Sequence, residues 1–261
     1  MIFKGRSPIC HKLVYEVRYN YGFTYLDRCG ITVNKVMKND PEWILSDASP
    51  NPQNAPLISL KNGTRFNFSS LKYDFALDQQ VGANKDLKGD ISDFIEQTSF
   101  ISTIVHEMLD LTDFNRVGFR IWYLFSSNSK EDSEKWISEL LGTVPIDSSI
   151  EQALNGNIEA RNYVALIALQ DRKFRISING VESYANIDIG ANILKINPRD
   201  LHKDQDKFLQ EQLRVKRRMA FNPTFATMVD IDSYVEMPKD VDARDFITES
   251  LKLIREKLQI Q

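Results

Sequence analysis

Cysteine and histidine are scarce in this chain, with 2 and 3 copies among 261 residues. Cys10 and Cys29 cannot build a disulfide framework or a four-cysteine zinc site. They read as reduced, partly buried, small apolar side chains. No apolar run approaches membrane-spanning length, and Met1 to Lys12 lacks the apolar stretch and small-residue cleavage site of a signal peptide. The expected address is therefore the cytosol, with no membrane partner. A phosphate loop, a dinucleotide fingerprint, a nucleophile elbow and the kinase motifs are all missing. Net charge is −3 and the pI is near 5.7. A weakly acidic whole does not advertise nucleic-acid binding, which leaves only a local basic patch to do so.

What is present is an ordinary soluble composition, 42% hydrophobic and 26% charged, enough for one large domain or two small ones. The most regular stretch is Arg116-Val-Gly-Phe-Arg-Ile-Trp-Tyr-Leu-Phe125. Strict alternation predicts a strand, with Val117, Phe119, Ile121, Tyr123 and Phe125 on the core side. Its second face mixes Arg116 and Arg120 with Gly118, Trp122 and Leu124, which a plain solvated face does not need.

Leu13 to Tyr19 alternates in the same way, and the aromatic row Tyr19, Tyr21, Phe23, Tyr25 extends its period. Ile31 to Met37 suits a helix or a strand. Ser46 to Pro56 reads as a loop. Leu57 to Phe68 predicts a hairpin about Asn62-Gly63, a pair that suits a two-residue type I′ turn, and Leu71 to Leu77 adds a strand. Asp90 is the expected cap of a long helix with a stripe from Ile91 to Leu109. Ser129 caps the next helix and Gly142 stops it. A short helix, Ser149 to Leu154, follows. Then come a hairpin about Asp171-Arg172, a short strand at Ile193 to Ile196, a charged helix from Leu201 to Met219, a strand within Phe225 to Met237, and a last helix capped by Asp240 or Asp242.

These elements predict an α+β fold, with antiparallel sheets and helices packed on one face. The chain divides into an N-terminal α+β half, 1–145, and a C-terminal half, 146–261. Both read hairpin, helix, strand, helix, which suggests a duplicated unit.

Four groups are candidates for chemistry. His106 and Asp110 share a helix face at metal-pair spacing, but zinc needs at least three protein ligands, so a structural histidine is the simpler expectation. Asp230, Asp232 and Glu236 share one strand face, with Lys239 nearby. Such carboxylates can hold Mg²⁺ in nucleases and phosphotransferases, or they can form the polar side of an amphipathic strand. Arg116 and Arg120 are expected either to pair with that acidic face, across the halves or across a dimer, or to grip an anionic ligand in the gap left by Gly118. Arg214, Lys216, Arg217 and Arg218 end the Leu201 helix, where cations complement its dipole and nucleic-acid contact is an alternative.

Leu13-Val-Tyr-Glu-Val-Arg-Tyr19, Arg116-Val-Gly-Phe-Arg-Ile121, Val229-Asp-Ile-Asp-Ser-Tyr234 and the closing helix occur in that order. This resembles an uncharacterised, sporadically distributed prokaryotic family of similar length, marked by an Arg-x-Gly-x-Arg strand and an Asp-rich strand before the last helix. The chain departs from it at Tyr123, near the family's asparagine. The resemblance implies no activity. The family's patchy distribution implies mobile genes, such as anti-phage defence or toxin–antitoxin loci. The expectation is a non-enzymatic accessory protein acting through a protein partner or as a homodimer. The rival is a Mg²⁺-dependent nuclease or phosphotransferase built on Asp230, Asp232 and Glu236.

Overall fold

The computed structural model describes residues 3, 6–46, 53–78, 86–142, 145–156, 158, 160–183 and 224–260. Nine strands form a single antiparallel sheet. In chain order they are β1 (Ile9–Arg18), β2 (Trp43–Leu45), β3 (Asn54–Ser59), β4 (Arg65–Ser69), β5 (Lys72–Asp78), β6 (Arg116–Ser127), β7 (Asn162–Leu169), β8 (Arg172–Ser183) and β9 (Thr224–Glu236). Across the sheet the order is β2-β3-β4-β5-β1-β6-β9-β8-β7. The described α-helices are α1 (Gly22–Asn39), α2 (Ile91–Leu109), α3 (Lys130–Leu141), α4 (Pro145–Leu154) and α5 (Ala243–Leu258). The α+β class expected from sequence is the class adopted.

Alternation decides which face is covered. Tyr15, Phe119 and Ser233 stand in one cross-strand row, as do Leu13, Ile121, Ile231 and Ile176. All of these are buried. Four helices pack on this face. Tyr25 of α1 meets Phe68, His106 of α2 meets Tyr73, Trp136 of α3 meets Phe125, and Phe246 of α5 meets Tyr15. A fully buried side chain such as Phe119 or Ile121 contributes about 1.5–3 kcal/mol, so these rows hold the layers together. The opposite face carries none of the four helices.

Within this sheet β6 lies beside β9, with six strands from before residue 145 on one side of the joint and three from after it on the other. All 12 residues of β6 find partners on β9. Strand order differs between the halves: β1 lies between β5 and β6, whereas β9 pairs directly with β8. The Leu201–Met219 helix and the Ile193–Ile196 strand expected from sequence lie outside the described residues.

Three local expectations are corrected. The aromatic row after Tyr19 is not a strand: Gly22–Asn39 is one helix of 18 residues, which buries Tyr25 and leaves Phe23 87% exposed. Residues two apart point to nearly opposite sides of a helix, so period 2 gave the wrong partnership. The turn at Asn62-Gly63 is longer than two residues. Ser59 and Thr64 close it, and only Gly63 has positive φ, at 79°. The Asn62 carboxamide instead accepts from the Thr64 N–H and hydroxyl, at 3.0 and 2.8 Å. Asp90 makes no capping bond from its side chain. A short 3₁₀ turn, Leu87–Asp90, runs straight into α2, so the cap lies earlier, at Asp86, which accepts from Lys88 N. Ser129 and Asp242 do cap α3 and α5, accepting from Asp132 N and Asp245 N.

Candidate functional site

Pairing of β6 with β9 sets Arg116 beside Glu236, Gly118 beside Tyr234, Arg120 beside Asp232 and Trp122 beside Asp230. All eight side-chain positions lie on the face opposite α1, α2, α3 and α5, because they alternate with the buried row. The arginines reach diagonally. Arg116 donates to Asp232 Oδ2 at 2.6 Å and to Glu16 Oε1, on β1, at 3.2 Å. Arg120 donates through Nε to Asp230 Oδ1 at 2.7 Å and through Nη2 to Asp230 Oδ2. This two-pronged geometry is the favoured one between guanidinium and carboxylate. Asp230 is 4% exposed, so Arg120 is what makes its charge tolerable there.

Gly118 explains how Arg116 gets there. A Cβ on Gly118 would sit 3.1–3.4 Å from the Arg116 guanidinium. The glycine gap is therefore filled by the chain's own arginine, laid flat along its strand, with Tyr234 beneath it at 4.4 Å. Trp122 is flanked by Lys12 and Arg120, 4.6 and 5.2 Å from its ring.

Further ion pairs stand on the same face. Glu16 also accepts from Arg18 at 2.7 Å and Lys72 at 2.9 Å, and Lys72 reaches Asp74 at 3.0 Å. Asp78 joins Lys12 to Arg65, and Glu236 takes Lys173 at 2.5 Å. Burial pushes the Glu16 carboxyl up, but the hydrogen bonds and charges of Lys72 and Arg18 outweigh it, leaving a net shift below the ordinary carboxylate value. Asp232 ends above its ordinary value because burial outweighs the opposing Arg116 and Arg120. Arg120 is held above its own ordinary value, chiefly by its bond to Asp230. Sequence alone missed Glu16 and Lys72. The alternation of Leu13, Tyr15 and Val17 did place Glu16 on the opposite face, but not which strand lies next to it.

The three acids do not converge on one point. Asp230 and Glu236 are six residues apart on one strand, roughly 20 Å at strand rise. Asp230 and Asp232 are both committed to arginines. Lys239 lies past the strand end. Among the described residues, no group of three or more His, Cys, Asp and Glu side chains is placed to hold a metal ion.

His106 and Asp110 also part company. His106 Nε2 shares a 2.7 Å hydrogen bond with the Tyr73 hydroxyl, and its ring packs on Phe114. Burial pulls its pKa down to about 4, against the opposing pull of Asp240 and Asp242. Asp110 is the left-handed residue that ends α2, with φ 51°. Cys10 is buried and Cys29 is partly buried, and both are free thiols. Burial, helped by Asp86, pushes Cys10 up to about 12, so it is unreactive at neutral pH.

Arg172, expected in a turn, opens β8 and is 7% exposed. It donates to Ser250 Oγ at 2.5 Å and to Glu249 Oε2 at 2.6 Å, and it stacks on Phe246 at 4.5 Å. It fastens α5 to the sheet. Arg214, Lys216, Arg217 and Arg218 lie outside the described residues.

No helix among the described residues is long and apolar enough to cross a membrane. No known protein family, curated protein or solved structure matches the chain.

Proposed function

We propose that this chain is a non-enzymatic accessory protein that docks the sheet face opposite α1, α2, α3 and α5 on a protein partner. The observation that carries the proposal is the set of ion pairs spread over this face, with Lys72–Glu16–Arg116–Asp232 as a connected chain at its centre and Lys12–Asp78–Arg65 and Lys173–Glu236 as separate groups on either side. Its side chains are fixed in place by pairing, so little further entropy is lost when a partner meets them. Its signs alternate over short distances. A polyanion would meet Glu16, Asp74, Asp78 and Glu236 repeatedly, whereas a protein surface of matching mixed charge would not. Arg175 stands in the row of Arg120 and Asp232, exposed, with no carboxylate partner among the described residues. It is a ready contact for such a surface. A place in a defence or toxin–antitoxin locus rests on the family resemblance, and the neighbouring gene is the direct check on it.

The test is affinity capture from nuclease-treated lysate of the source cells. It compares the wild-type chain, a Lys173→Glu plus Arg175→Glu variant, and a helix-side control, Lys252→Glu. A protein held by the wild type and the control but lost from the open-face variant supports the proposal. Equal capture by all three overturns it. So does a Mg²⁺- or Mn²⁺-induced thermal shift that disappears in Asp230→Ala plus Asp232→Ala, because that outcome favours the metal-dependent enzyme.

A further inference from the structure

The two edges of the sheet are built differently. At one end β2 has 3 residues, a length that offers little for another chain to pair with. At the other end β7 has 8 residues, Asn-Tyr-Val-Ala-Leu-Ile-Ala-Leu, with no charge, proline or glycine. Among the described residues it pairs only with β8. Natural edge strands are normally blunted by charge, proline, a bulge or shortness, and β7 has none of these. Its side chains are exposed on both faces: Tyr163, Ile167 and Leu169 on the helix side, and Val164 and Leu166 on the open side, with Leu166 65% exposed. Beside it, a groove of about 350 Å³ runs between β7–β8 and α5, lined by Ile167, Leu169, Phe174, Leu253 and Leu258.

We infer that β7 is a homodimer edge, on which a second copy of this chain adds its own β7 in antiparallel register. Three features point to a copy rather than an unrelated chain. An uncharged strand meets itself without like-charge repulsion, whatever the register. A two-fold pairing uses the same edge on both copies, so it closes at two, and the short β2 edges do not propagate it. The register that keeps helices on one side of both sheets pairs residues of like face. One such register centres on Leu166, so that Leu166 faces its own copy on the open side while Tyr163 faces Leu169 on the helix side.

The size of the edge limits how tight the dimer is. The exposed apolar part of β7 is on the order of 400 Å², near the most that a monomer leaves bare. A stable interface hides about 800 Å² on each partner. The remainder must come from main-chain pairing and from the α5 side of the groove, which sets the expectation at a reversible dimer. This edge adjoins the charged face, since Leu166 pairs with Arg175, but the two proposals are told apart by their readouts: self-association of the pure chain here, capture of a different protein there.

Analytical ultracentrifugation of the full chain across a hundredfold concentration range is the test. The wild type is expected to pass from 30.1 kDa to twice that mass. Leu166→Lys, which sets two like charges together at the axis, is expected to weaken association at least tenfold. If that variant folds poorly, Leu166→Cys serves instead: opposed positions on an antiparallel pair lie close enough for a disulfide, and oxidation should give a covalent dimer absent from Lys252→Cys. A chain that stays monomeric throughout overturns the inference, with slow amide exchange at β7 then placing the cover within the chain itself. So does a dimer indifferent to Leu166→Lys or uncrosslinked through Leu166→Cys.

Discussion

The Arg120 guanidinium clasps the Asp230 carboxylate across the joint between β6 and β9, and the two partners are unequally placed. Asp230 is buried at 4% exposure, while the Arg120 side chain is 38% exposed. Removing either partner should therefore have different consequences. Arg120→Met strands a buried carboxylate and is expected to cost about 3 kcal/mol or more. Asp230→Asn keeps a hydrogen-bond acceptor and leaves an arginine that can turn to water, for about 1–2 kcal/mol. Urea denaturation of both variants checks the order, and equal costs would refute the account.

Gly118 and Arg116 should behave as one unit. Gly118→Ala crowds the guanidinium at 3.1–3.4 Å, so it should destabilise by roughly 1 kcal/mol, the lower end of overpacking costs. In an Arg116→Ala background the crowding is gone and only the gain of replacing a strand glycine remains, about 0.5–1 kcal/mol of stabilisation. The sign of Gly118→Ala should thus reverse with the identity of residue 116, measured by a double-mutant cycle.

His106 makes stability sensitive to mild acid. Unfolded, it takes a proton near pH 6.5. Folded, it resists until about pH 4, because burial disfavours its charge. Between these values the unfolded chain binds more protons, so stability falls as the pH is lowered from 6.5 to 4 and this contribution levels off below. The loss is on the order of 3 kcal/mol. His106→Gln should flatten most of that slope in denaturation midpoints taken at pH 7 and pH 5. Glu16, whose pKa is lowered, adds a loss at lower pH that the variant retains.

Arg172 and Glu249 form a lopsided pair, with side-chain exposures of 9% and 62%. Arg172→Ala removes the bonds to Ser250 and Ser233 as well as the stack on Phe246. It should cost about 2–3 kcal/mol and speed amide exchange throughout α5. Glu249→Ala should cost under about 1 kcal/mol, as exposed pairs do.

Period 2 in Arg116–Phe125 and Leu13–Tyr19 made both central strands legible, since every second residue there is buried. The odd second face of β6 was legible too, but its explanation was not. That Arg116 reaches Glu16 and Asp232 depends on β1 and β9 flanking β6, a matter of strand order over more than a hundred residues of sequence separation. Helix α1 was illegible for a local reason: Tyr21 offers no side-chain cap, the first turn has no acid, and the aromatics mimic a strand. Arg172 read as a turn because its flanking residues are polar, whereas it is the hydroxyls and ring of α5 that let a cation be buried there.

The β6–β9 joint also bears on how the chain is made. Asp230 follows Arg120 by 110 positions, so at about 5–20 residues per second the newly made β6 waits several seconds or more for its neighbour. During that time its free edge is open to any extended chain nearby. Until β9 arrives, Arg116 and Arg120 carry charge on the sheet face beside that edge, the kind of device natural sheets use against unwanted pairing. Asp230 and Asp232, which pair with these two arginines, arrive on the same strand that closes the edge, so the charge is neutralised only when the proper neighbour is in place.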